Sequence, residues 1–166
     1  MFRSIEDFLV SWTQEVESTG KVLGALTDAS LSRSVTPGGR TLGKLAWHLV
    51  ETLQEMLPAA GLQVEFVIDP HSVPDQAAEI SRQYRAGAVA VAQALEAQWD
   101  DATLQDTVMM YGMPWKRGFT LHVLLMHQAH HRGQMTVLMR QAGLAVPGVC
   151  GPSREEWIAF GMEPQD

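Results

Sequence analysis

Four long stretches of helical apolar periodicity, separated by proline- and glycine-rich breaks, restrict this chain to folds built by packing helices. The first runs from about Ser4 to Leu26, where Ile5, Phe8, Leu9, Trp12, Val16, Val22 and Leu23 recur near i, i+3, i+4 spacing. Ser4 followed by Asp7 marks its start, with Asp standing in for the usual Glu of a capping box. "TPGGR" then breaks the chain, Thr41 caps a second helix over about Leu42–Leu57, and "PAAG" closes it. The third begins after Val73, with Pro74 at the first helical position and acids in the first turns, and continues to about Trp99. Its many alanines suit close packing. The fourth runs from about Thr120 to Ala142, with Gly143 as its stop. Ser153 and Glu156 form a capping box for a short last piece, Ser153–Phe160.

Two connections are long. "LQVEFVIDPHSVP" alternates briefly but ends in prolines, and reads as an irregular link. "DDATLQDTVMMYGMPWKRGFT" is too long for a structureless loop in a compact domain, and predicts a hairpin around Tyr111–Pro114. The 166 residues suit a single domain over 1–166 with one sizeable core. The expectation is an all-α four-helix bundle, with a long connection between the third and fourth helices and a short C-terminal helix.

Charge narrows the partners. Twelve Lys plus Arg against 19 Asp plus Glu give a net charge of −7, which repels phosphate backbones and offers no support for a nucleic-acid partner. No run approaches the roughly 18 apolar residues of a membrane span, and the N-terminus lacks an apolar core of signal-peptide length. The one cysteine, Cys150, permits neither an internal disulfide nor a cysteine-based zinc site, and no activating base lies near it in sequence, so it reads as a small buried hydrophobe. A cytoplasmic location is expected.

Within the fourth helix, "LLMHQAHHRGQMTVLM" places His127, His130 and His131, half of the six histidines, in an apolar run. At about 100° per residue, His127 and His131 lie about 40° apart, one turn above the other. Thr120, Leu124, Gln134 and Leu138 share that face. Two imidazoles at i, i+4 can both reach one metal ion. The bland alternative packs one ring and leaves the other to solvent, yet burying two imidazoles without partners is costly. A third ligand is available in "LGKLAWHLVETLQEM". There the apolar stripe is Leu42, Leu45, Leu49, Leu53 and Met56, and His48 lies on its flank beside Thr41, Thr52 and Glu55. Periodicity permits His48 an edge position and does not demand an inward one.

The remaining features have plainer readings. His130 points about 100° away from His131, toward another helix or the surface. His122 lies opposite His131 and reads as structural or exposed, and His71 as a solvated loop residue. Arg132 faces away from the ligand stripe and is expected to pair with an acid or the tail. Gly133 suits close helix approach, and Met109, Met110, Met113 and Trp115 suit loop packing.

The run "HQAHHRGQ" from His127 to Gln134, preceded by a helix carrying "WHLVE" and followed by the tail "GLAVPGVCGPSREEW", resembles the DinB/YfiT-like superfamily. The resemblance spans essentially the whole chain. It implies an up-up-down-down four-helix bundle, often a homodimer. It also implies a divalent metal (nickel, zinc or iron) on three histidines, here His48, His127 and His131. Relatives of that superfamily include enzymes dependent on a low-molecular-weight thiol, of S-transferase or isomerase type, so a thiol cosubstrate and a small electrophilic substrate are implied.

Three imidazoles leave a divalent ion cationic with an open position, able to activate a thiol or water. Thiol activation is the primary reading. Metal-dependent hydrolysis and a non-enzymatic metal-binding bundle of the stress-response kind are the alternatives. Glu51 and Glu55, within two turns of His48, suit a ligand-orienting partner or a base. Gln134 suits orientation of a ligand histidine or of a bound water. Tyr111 and Trp115 could line the entrance.

Overall fold

The computed structural model describes residues 1–164. Among them lie five α-helices and one two-stranded antiparallel sheet. In order these are α1 (Ile5–Gly24), α2 (Leu42–Ala59), α3 (Ala77–Gln98), β1 (Thr107–Met110), β2 (Met113–Lys116), α4 (Arg117–Gln141) and α5 (Arg154–Trp157). Single 3-10 turns occur at Asp28–Ser30, Thr103–Gln105 and Ile158–Phe160. No described helix is long and apolar enough to cross a membrane.

The core follows the periodic stripes. Leu42, Leu45, Leu49, Leu53 and Met56 of α2 are all buried, as are Phe8 and Trp12 of α1, Tyr84 and Leu95 of α3, and Leu124 and Leu138 of α4. Each such side chain contributes about 1.5–3 kcal/mol by leaving water. α2 packs against α3 and α4, and α1 packs against the same two helices. On α3 the close approach falls at Gly87, where a Cβ would lie 2.8 Å from Phe66 Cε1 and 3.0 Å from Leu53 Cδ1.

Local caps set two helix starts where the sequence places them. Asp7 N–H donates to Ser4 Oγ (3.2 Å), and Lys44 N–H donates to Thr41 Oγ1 (3.2 Å). The third start differs. α3 begins at Ala77, three residues beyond Pro74, because its cap comes from elsewhere: Ala77 N–H donates to Asp28 Oδ1 at 2.8 Å. α4 begins at Arg117 rather than Thr120, since it follows β2 without an intervening residue.

The link after α2 has no strand partner among the described residues. Leu62, Phe66 and Ile68 point inward and are buried. Two glutamines serve its backbone. Gln54 accepts from Ile68 N–H (2.5 Å) and donates to Ile68 O (3.3 Å), while Gln98 accepts from Gln63 N–H (2.9 Å) and donates to Gln63 O (2.7 Å).

The predicted hairpin is present, with its turn at Tyr111–Gly112. Both turn residues have positive φ (51° and 79°), which a type I′ connection requires. Arg117 ties the hairpin root to the helices. It donates to Ala60 O at the end of α2 (3.0 Å), pairs with Asp106 (2.9 Å), and stacks on Trp99 at 5.1 Å.

Two expectations are corrected. Cys150 is exposed, because the segment around it turns through Gly151 at φ 129° instead of packing inward. Gly133 faces solvent, and a Cβ there would meet nothing within 4 Å, so it serves no helix contact. His130, exposed as one alternative held, is nevertheless joined to the histidine cluster through Gln134.

Candidate metal centre

α2 and α4 bring His48, His127 and His131 together. His48 Nε2 lies 3.3 Å from His127 Nε2, and His131 Nε2 lies 3.2 Å from the same atom. One donor atom from each residue falls within 4.8 Å of the others. His131 is buried and the other two are partly buried.

Two of the rings are held from behind. Glu51 Oε2 sits 3.1 Å from His48 Nδ1, and Gln134 Oε1 sits 2.8 Å from His131 Nδ1. Each oxygen accepts an Nδ1–H, which fixes that tautomer and leaves the Nε2 lone pair facing the centre. Gln134 turns its amide nitrogen to His130 Nε2 at 3.1 Å. His127 differs: its Nδ1 is buried with no hydrogen-bond partner among the described residues.

Burial lowers the His127 pKa to about 4, with the charges of His131, His48, His130 and Arg40 acting the same way. Burial also lowers that of His131, against the Gln134 hydrogen bond. These two imidazoles are therefore neutral near pH 7, the form in which histidine binds a metal.

The spacing offers a direct test of fit. Nitrogens about 2.0–2.1 Å from a tetrahedral ion lie about 3.3 Å from each other. The separations of 3.2 and 3.3 Å match that value. Without a cation, a His127 Nε2–H can donate to only one of the two Nε2 lone pairs oriented by Glu51 and Gln134, whereas a cation would meet all three rings. The donor set and its spacing are compatible with a metal site.

The other expected site residues fall at different distances from this centre. Glu55 is exposed and accepts from Tyr111 Oη at 3.1 Å, so it belongs to the hairpin side and not to the histidine cluster. Tyr111, Trp115, Phe119 and His122 form a run of ring contacts with centroid separations of 5.7, 5.1 and 6.2 Å. Arg132 turns inward to pair with Glu15 of α1 and donates to Thr19 at 3.0 Å, as its position opposite the ligand stripe predicts. His71 is exposed in the link.

Sequence reasoning missed Gln128. It is fully buried and donates to Leu49 O and Thr52 Oγ1, each at 3.1 Å, which sets the register of α4 against α2 one residue from each of His48 and His127. A glutamine inside an apolar run was the available clue. Arg40 and Lys44, which line a cleft shared with His48, were missed as well.

Comparison with known proteins agrees with this architecture. A sequence profile of the DinB family matches residues 1–165. The chain is 44% identical over 163 residues to the uncharacterized protein YrdA of Bacillus subtilis, covering 98% of each. It is similar to the crystal structure of a DinB-like protein from Bacillus cereus, at 47% identity and TM-score 0.86, covering 90% of this chain and 99% of that one. A second DinB-like structure, YjoA of Bacillus subtilis, shares the fold at 13% identity and TM-score 0.66, covering 86% and 97%. On sequence and on fold alike, the chain belongs to the DinB family.

Proposed function

We propose that His48, His127 and His131 hold one divalent ion, of zinc, nickel or iron, and that the loaded protein is an enzyme acting on a small electrophile with a low-molecular-weight thiol. The observation that carries this reading is the spacing of 3.2 and 3.3 Å between Nε2 atoms. Such an ion supplies Lewis acidity that lowers the pKa of a thiol or of water reaching it. The chain's own residues do the rest. Three imidazole ligands carry no negative charge and leave the charge of the ion uncompensated. Glu51 and Gln134 orient His48 and His131 through their Nδ1 protons. Three protein donors instead of four favour a catalytic over a structural role.

Glu55, tethered by Tyr111 on the hairpin side, stands apart from the histidines and is assigned no step. The up-up-down-down bundle, as a single domain over 1–166, fits the packing of α2 and of α1 on both α3 and α4. Its last two residues lie outside the described ones. Homodimerisation enters this reading through the family resemblance alone, and a cytoplasmic location through the lone cysteine and the lack of a long apolar run.

The test is metal analysis of protein purified without a histidine tag, followed by a turnover screen with several low-molecular-weight thiols. Stoichiometric metal in the wild type, lost in His127→Ala with the helical circular dichroism retained, is the expected result. A wild-type chain that binds no divalent metal overturns the site. Turnover independent of thiol would move the assignment to hydrolysis. Bound metal with no turnover in any arm would leave a non-enzymatic metal-binding protein.

A further inference from the structure

A cleft of about 340 Å³ opens beside His48, lined by Arg40, Lys44, His48, Glu51, Pro70, His71 and Val73. It lies where α2 meets the link. Resting on the metal reading above, we propose that this cleft binds an anionic group of the substrate, a carboxylate or a phosphate, through Arg40 and Lys44.

Charge distribution carries the inference. The chain has a net charge of −7, yet the N-terminal end of this cleft presents two cations. Among the described residues neither Arg40 nor Lys44 has a carboxylate partner, whereas Arg82, Arg117 and Arg132 each do.

The backbone of α2 is not available for the task. Leu42 N–H and Gly43 N–H donate to Arg33 O and Leu31 O (2.8 and 2.9 Å), and Lys44 N–H donates to Thr41 Oγ1. Recognition therefore falls on side chains, and a guanidinium suits the planar, two-oxygen face of a carboxylate or phosphate.

The one carboxylate in the cleft, Glu51, is engaged with His48 Nδ1. It lies two turns beyond Lys44, about 10 Å along the helix axis, which leaves the cationic end free for an anion. Lys44 is one turn from His48, about 6 Å along the axis.

The test titrates the purified chain, its metal content measured, with succinate and with inorganic phosphate, followed by NMR of the Arg40 side-chain Nε–H and by calorimetry. Saturable binding that moves the Arg40 resonance is expected, weakened about tenfold in Arg40→Gln, the loss typical of one charged hydrogen bond, at unchanged metal content. Tighter binding of succinate would assign a carboxylate, and tighter binding of phosphate a phosphoryl group. A chain found without metal that still loses anion binding in Arg40→Gln supports the cleft while overturning the metal reading. No saturable binding of either anion, or equal binding in wild type and in the Arg40→Gln/Lys44→Gln double variant, overturns the proposal.

Discussion

Gln134 and Glu51 do the same work on different helices. Each offers a side-chain oxygen to the outer nitrogen of a candidate ligand histidine, at 2.8 and 3.1 Å. Gln134→Leu keeps the size and removes the acceptor. Its metal affinity is expected to fall about 10–100-fold, measured by competition with a chromogenic chelator, with helical circular dichroism unchanged. Glu51→Gln retains an acceptor and should lose far less than Glu51→Ala; equal losses in the two variants would count against an orienting role. The sequence made part of this legible. The i, i+4 spacing put His127 and His131 on one face, and Gln134 shared it. His48 came from resemblance, because a flank position on a helix wheel says nothing about which neighbour it will meet. Gln128 and Arg40 escaped for a related reason. Each acts across a gap between elements, and no local spacing encodes the partner.

Caps explain which boundaries could be read. Ser4 and Thr41 are satisfied by their own helices, so α1 and α2 begin where the letters say. The cap of α3 is Asp28, 49 residues earlier, and Pro74 misled as a result. The link between α2 and α3 shows the same dependence. Its alternation was visible, but no strand lies beside it, and the glutamines Gln54 and Gln98 take the place of one. Gln54→Ala should leave the helices intact and raise amide hydrogen exchange at Ile68, whose N–H loses its acceptor, with little change at Ile80 in α3. Unchanged protection at Ile68 would mean that burial of Phe66 and Ile68 alone holds the link.

The three histidines draw on two helices that are far apart in sequence, and an ion shared between them would join α2 to α4 in the folded state only. Stripping the metal with a chelator should therefore lower the thermal midpoint of the whole chain. Linkage sets the size at about 2.7 kcal/mol for free metal at a hundredfold excess over its dissociation constant. Differential scanning calorimetry at several free-metal concentrations checks this, and a midpoint indifferent to metal would contradict it. The interior also contains the Arg132–Glu15 pair between α4 and α1, so the two faces of α4 are each committed to a different helix. Gln128 adds a consequence of its own. By fastening its amide to Leu49 and Thr52 it sets the gap between α2 and α4 without help from any ion, as the fixed jaws of a caliper would. An ion with bonds of about 2.0–2.1 Å fits that opening, while one the size of calcium, at about 2.3–2.6 Å, must force the jaws apart. Were the three histidines to hold an ion, a buried glutamine that never touches it would gauge that ion by width.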